Sequence, residues 1–293
     1  MEKIKNLNRL NDVFFKSLLG DEKRKNLTLA FLNEVLNRDE KNLITDINFM
    51  DKERTPDQQG EKSPELDILA RTNEDTIINI EVQIANQEYF SKRSLYYWAR
   101  IYAYQLKIGE RYKKLKPTIA INLLQFDYLP YETYHNCYHV TNDETHDILT
   151  NDLEMHFIEL TKFKLSDVKK IRKNDWIAYF SPNCTDEQRE EIAMTNPAIK
   201  EALNYEMMFS QDEIKRYQYD MQEKAIRDYV EVMDYRHKEG IQEGIQKGIQ
   251  KGIQKEKIQN AINGLKEGID INIISLMTKL SIEEIKEIQK KYL

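Results

Sequence analysis

Apolar positions along this chain change their period several times, and each change marks an element. Residues 12–19 carry Val13, Phe14 and Leu18 at a 3.6-residue spacing, which predicts a short amphipathic helix. Residues 23–36 repeat the pattern with Leu27, Ala30, Phe31, Val35 and Leu36 and predict a second helix. Strand-like runs follow at residues 43–50 and 65–71, separated by a polar stretch at 55–64 that reads as a loop. Asn73-Glu74-Asp75 predicts a tight turn, and residues 76–84 (Thr-Ile-Ile-Asn-Ile-Glu-Val-Gln-Ile) are a run of strong strand formers. Helical spacing returns at 89–107. Residues 118–126 are apolar on both faces and predict a central strand, with edge strands at 137–140 and 155–160. Beyond about residue 170 the pattern is almost wholly helical. The expected architecture is α/β, a mixed sheet flanked by helices and followed by an all-helical C-terminal region. Its expected segments are a core over 1–170, a helical extension over 171–238, a repeat over 239–257 and a small helical unit over 258–293.

Composition narrows the class without naming a function. Hydrophobic residues make up 40% of the 293, enough for a real core, and only 9 Gly and 6 Pro favour an ordered, helix-rich chain. No apolar run approaches the ~20 residues a membrane helix needs, and no secretory leader is expected at the N-terminus. Cys137 and Cys184 are the only thiols, which points to a reducing compartment and a cytoplasmic location. The net charge of −6 means that any surface for nucleic acid must be a local basic patch.

Candidate chemistry sits on the predicted hairpin. Glu81 and Gln83 are two residues apart on one strand, so they share a face. The turn at 73–75 folds the preceding strand back and can bring Asp67 opposite Glu81. Two carboxylates inside apolar strands are costly to bury as bare charges. A hard divalent cation resolves that cost, and Mg²⁺ takes one or two carboxylates plus water and phosphate oxygens. The backbone carbonyl of Val82 is a further candidate ligand. The bland alternative is the solvated face of an edge strand.

Asp67 followed across a hairpin by Glu81-Val82-Gln83 resembles the PD-(D/E)XK nuclease motif. More closely, the chain resembles the recombination-promoting nucleases, also called transposases of PD-(D/E)XK type. The likeness extends to Asn11-Asp12-Val13-Phe14-Phe15-Lys16, to Arg93-Ser94-Leu95-Tyr96-Tyr97-Trp98 and to the Gly-rich helical tail. It implies a restriction-endonuclease-like fold and metal-dependent DNA endonuclease activity linked to recombination or mobile DNA. Mg²⁺, with Mn²⁺ as a substitute, would be held by Asp67, Glu81 and Val82, and Gln83 would position water or phosphate. Asp12 is the candidate upstream acid by position, with Glu34 second. One departure stands out: the superfamily lysine is replaced by Gln83, which can be neither cation nor base. Lys92, Arg93 and Arg100 are candidates to supply a cation from the next helix. The competing reading is a non-catalytic DNA-binding or scaffold protein with a degenerate nuclease fold. A three-carboxylate transposase is less favoured, because no third acid follows the central sheet in a strand-helix frame.

Four further features complete the picture. Residues 89–116 hold eight Lys and Arg against one Glu, interleaved with tyrosines. Lys92, Arg93, Arg100, Tyr96 and Tyr97 are the candidate DNA contacts, through phosphate pairing and base stacking; Leu95, Trp98, Tyr102 and Leu106 at helical spacing fit a packing face as well. His135, Cys137 and His139 alternate, so a strand would place them together like part of a zinc site. No fourth ligand is evident beyond His146 nearby, and ordinary strand residues are the simpler reading. Gly240, Gly244, Gly248 and Gly252 recur in step with Ile241, Ile245, Ile249 and Ile253. A helix there would carry an Ile stripe suited to self-association into a homo-oligomer; a flexible linker is the alternative. Ser281 and Glu284 form a capping-box pair that starts the last helix, and the helical pair it closes has a helix-turn-helix outline.

Overall fold

The computed structural model describes residues 7–50, 66–86, 88–164 and 174–292, so the predicted loop at 55–64 lies outside the described residues. The chain divides into two compact units, residues 1–225 and 226–293.

The first unit begins with α1 (Asp12–Leu19) and α2 (Lys25–Val35). Asn11 caps α1, its side chain accepting from the Val13 and Phe14 N–H groups. The six strands are β1 (Ile47–Phe49), β2 (Ile68–Thr72), β3 (Ile77–Gln83), β4 (Thr118–Leu124), β5 (His135–Tyr138) and β6 (Leu153–Glu159). They form one sheet in the order β1-β2-β3-β4-β6-β5. β1, β2 and β3 are antiparallel, while β4 runs parallel to both β3 and β6. β4 is therefore central, as its apolar faces predict. β5 is an edge strand, as predicted, but β6 is not: it lies between β4 and β5 and buries both faces.

Helix α3 (Phe90–Ala103) covers one face of the sheet. Alternation along β4 makes the division visible. Ile119, Ile121 and Leu123 join the main core, whereas Ala120 and Leu124 pack with Phe90 under α3. The main core on the opposite face takes in α1, α2 and the helices α4 (Asp175–Phe180), α5 (Asp186–Ala193) and α6 (Pro197–Gln211). Phe14 meets Phe209 edge-on at 5.0 Å, and Phe31 meets Trp176 at 6.0 Å.

Glu34, a candidate site acid from the sequence, serves this packing. Its Oε1 accepts the Trp176 N–H at 2.6 Å, so it satisfies the start of α4. Burial raises its pKa from 4.5 to about 8, helped by Asp175 and opposed by the Trp176 and Ile177 N–H groups. The unfolded chain loses this proton near 4.5 and the folded chain only near 8. Between those values the folded form holds more protons, so stability falls as pH rises. The urea midpoint in EDTA is expected to drop between about pH 5 and pH 8, and Glu34→Gln is expected to flatten that drop. An equally steep profile in the variant would assign the pH dependence elsewhere.

Asp212 ends α6 and starts α7 (Glu213–Lys266), its side chain accepting from Ile214 and Lys215 N–H at 3.1 Å each. The Gly-Ile-Gln repeat is helical throughout, inside this 54-residue helix. In the second unit α8 (Ile271–Thr278) and α9 (Ile282–Tyr292) close a small core with Ala261, Ile262, Ile274 and Ile285. The capping box is present: Ser281 N–H donates to Glu284 and Glu284 N–H to Ser281 Oγ. Two glycines of α7 play opposite parts. A Cβ at Gly264 would sit 3.0 Å from Ile274 Cγ1, whereas one at Gly248 meets nothing within 4 Å. Gly248→Ala is thus expected to stabilise the helix by up to about 1 kcal/mol, and Gly264→Leu to loosen the C-terminal unit. Hydrogen-exchange protection across α8 and α9 distinguishes the two.

Candidate functional site

Beyond Ile80, β3 runs on without β2 beside it, because the β2–β3 pairing ends at Ile68 opposite Ile80. That leaves the edge of β3 at residues 81–83 open, and Asp67, just before β2, turns into the gap. Asp67 Oδ2 accepts the Val82 N–H at 2.8 Å. In a strand the N–H and C=O of one residue leave by the same edge. The Val82 carbonyl therefore faces Asp67, while the next carbonyl, that of Gln83, points the other way to Gln125 N–H.

Glu81 is 8% exposed and aims at the α3 side of the sheet, opposite Asn122 in register. Its Oε1 accepts from Asn79 Nδ2 at 3.0 Å and from the Asp67 N–H at 3.4 Å. Sequence expectation and structure agree on this juxtaposition: Asp67 and Glu81 meet at the open end of the hairpin. Burial raises the pKa of Glu81, and the charge of Asp67 raises it further, against hydrogen bonds from Asn79 and Asp67 N–H. Burial also raises Asp67, opposed first by Lys16. The pair thus resists full ionisation, as two buried like charges must. Hard oxygen donors held together at such a cost are a donor set that fits a divalent cation.

Asp12 does reach this place, through a residue that sequence reasoning did not single out. Lys16 Nζ lies 2.7 Å from Asp12 and 3.0 Å from Asp67. Burial opposes its charge, but the two carboxylates hold its pKa above the usual lysine value. The signal for it was the four-residue spacing of Asp12 and Lys16 on α1, which puts them on one helix face.

Of the candidate cations on α3, Arg93 alone is seen at the hairpin: its guanidinium donates to Gln83 Oε1 and lies 4.9 Å over the Phe90 ring. Lys92 is exposed over Tyr89. Arg100 is buried and donates to the hydroxyls of Tyr96 and Tyr104, so it braces tyrosines rather than pointing outward. Tyr96 is exposed and Tyr97 half-buried beside it. Part of the positive charge nearby is already matched, Lys114 by Glu110 and Lys116 by Asp75.

The chain matches the PD-(D/E)XK nuclease family transposases over residues 9–236. It belongs to that family. No curated protein and no solved structure matches it. The PD-(D/E)XK match spans Asp12, Lys16, the Asp67–Glu81 hairpin and α3, and it ends before the first repeat glycine, Gly240.

Proposed function

We propose that this PD-(D/E)XK family member is a metal-dependent DNA endonuclease, cytoplasmic, acting in recombination or the movement of DNA. The observation that carries the proposal is the buried meeting of Asp67 and Glu81 at the end of a strand pair. Nucleases of this superfamily generally use divalent metals, and Asp67, Glu81 and the Val82 carbonyl are the groups that would hold Mg²⁺, or Mn²⁺ in its place. Such an ion lowers the pKa of bound water and offsets charge on a phosphate during hydrolysis.

The chain's own residues supply the rest. Gln83 offers its amide N–H groups to water or a phosphate oxygen while Arg93 fixes its carbonyl end. Lys16 brings a positive charge to the carboxylates, a place for cationic chemistry that position 83 lacks. Asp12 holds Lys16 in place. Lys92, Arg93, Tyr96 and Tyr97 on α3 form the proposed DNA-contacting surface, with Arg100 acting through Tyr96. The exposed Ile241, Ile245, Ile249 and Ile253 stripe on α7 supports self-association through the C-terminal helices. Among the described residues no helix is long and apolar enough to cross a membrane.

One observation favours the competing scaffold reading: Lys16 already balances Asp12 and Asp67. Plasmid nicking by the purified protein with Mg²⁺, Mn²⁺ or EDTA decides between them. Nicking that needs metal supports the nuclease; DNA binding with no cutting under any metal supports the scaffold. Lys16→Met sharpens the test with two effects of opposite direction. Removing a competing charge is expected to tighten Mg²⁺ binding. Removing a supporting cation is expected to slow nicking by about 10- to 100-fold, the range for groups just behind a metal site. Unchanged nicking would show that Lys16 only balances charge.

A further inference from the structure

At the other end of the sheet, β5 and β6 bring together a set of side chains that the carboxylate site does not use. Cys137 pairs with His156 across the two antiparallel strands. Glu154 lies two residues from His156 and His139 two residues from Cys137, so Cys-x-His and Glu-x-His segments face each other. Cys137 Sγ is 3.8 Å from His156 Nε2 and 3.9 Å from His139 Nδ1. Glu154 Oε1 is 2.7 Å from the same His156 Nε2. One ligand atom each from Cys137, Glu154 and His156 lie within 4.8 Å of one another.

We propose that Cys137, Glu154, His156 and His139 form a second metal site, taking a borderline-soft divalent ion of the zinc class. On a tetrahedron with Zn–S of about 2.3 Å and Zn–N or Zn–O near 2.1 Å, ligand atoms stand roughly 3.4–3.6 Å apart. The observed separations bracket that spacing. Closure needs Glu154 to open slightly from His156 and His139 to swing inward. Arg38 is a cation near Glu154 that opposes an incoming ion.

An independent feature points the same way. His156 is 4% exposed, and its second nitrogen, Nδ1, lies 2.8 Å from His135 Nε2. Metal-bound histidines use their second nitrogen to donate to an acceptor that fixes the tautomer. His135 is placed to accept, with its Nε2 within hydrogen-bond reach of that nitrogen. His135 thus becomes the orienting partner, not a ligand. The mixed thiolate, imidazole and carboxylate set selects zinc-like ions over Mg²⁺, which favours oxygen alone. Bound there, the ion would tie edge strand β5 to β6. It would do so two strands away from Glu81 and on the opposite face of the sheet, as the alternation of His156 with Phe157 shows.

Co²⁺ titration of the chelator-treated, full-length protein tests the site. The expected result is one equivalent of Co²⁺ with a thiolate-to-cobalt charge-transfer band, displaced by Zn²⁺ and not by Mg²⁺. Cys137→Ser is expected to abolish the band and His139→Asn to weaken Co²⁺ binding at least 10-fold. Cys184→Ser and Glu81→Gln should leave the band intact, which separates this site from the other thiol and from the proposed nuclease centre. Alkylation of wild-type Cys137 gives a check that needs no variant: Zn²⁺ should slow it and Mg²⁺ should not. Absence of the band in the wild type, its survival in Cys137→Ser, or alkylation indifferent to Zn²⁺ would overturn the proposal.

Discussion

Asp67→Asn and Glu81→Gln are each expected to lower plasmid nicking by more than about 100-fold, since loss of groups merely supporting a metal ligand costs 10- to 100-fold. The same substitutions are expected to leave the fold almost as stable, and Glu81→Gln to raise stability at alkaline pH. Glu81 is 8% exposed, and both burial and the neighbouring Asp67 charge oppose its ionisation. A glutamine keeps an oxygen for Asn79 and removes the charge. In Asp67→Asn the amide oxygen can still accept from Val82 N–H, while Lys16 retains Asp12 as its partner. Groups held in a costly charge state are characteristic of working sites, and activity lost without stability is their mark. Nicking rates and urea midpoints in EDTA, measured on the same preparations, check both halves. Activity falling only in proportion to unfolding would reduce the two acids to structural residues.

What the sequence revealed of this centre, and what it hid, follows from the range over which each contact is made. Glu81 and Gln83 share a face through strand alternation, and a short turn returns Asp67 to them, so local rules suffice. Lys16 reaches Asp67 from α1 across 51 positions, and no periodicity carries that information. Arg100 has the chemistry of a phosphate contact, but helical phase places it on the buried side of α3 with Tyr96 and Tyr104 around it. Glu34 has the chemistry of a site acid, yet the start of α4, more than a hundred residues later, claims it. Likewise His135, Cys137 and His139 were visible as an alternating set, but Glu154 and His156 become their neighbours only through the β5–β6 register. Glycines at four-residue steps argue against a helix by propensity, and the structure shows one nonetheless, with Glu243 and Lys247 paired four residues apart on its surface.

A buried long-range ion pair also sets the largest expected loss of stability. Arg9 donates from Nε to Glu206 at 2.7 Å and from its Nη2 atom to the other oxygen at 2.9 Å, a two-point pairing across 197 positions. Both partners are nearly inaccessible, at 9% and 3% exposure. Arg9→Met leaves the Glu206 carboxylate buried with its partner gone, a defect that costs about 3–5 kcal/mol. Asp186 cannot replace Arg9; it is itself an acid, bound to Arg9 at 3.1 Å and to Arg189 at 3.0 Å. For a unit of this size that cost corresponds to a drop in melting temperature on the order of 10 °C. Adding Glu206→Leu to Arg9→Met is expected to restore much of the loss, because replacing both members of a buried ion pair with apolar groups is often neutral. Melting of the two single variants and the double variant measures the coupling directly. Single-variant losses under about 1 kcal/mol, the range of solvent-exposed pairs, would mean that water reaches Glu206 and that α6 is docked by its apolar face alone. A large coupling would instead show that α6 is locked to the segment just before α1, where Asp12 and Lys16 begin the approach to Asp67.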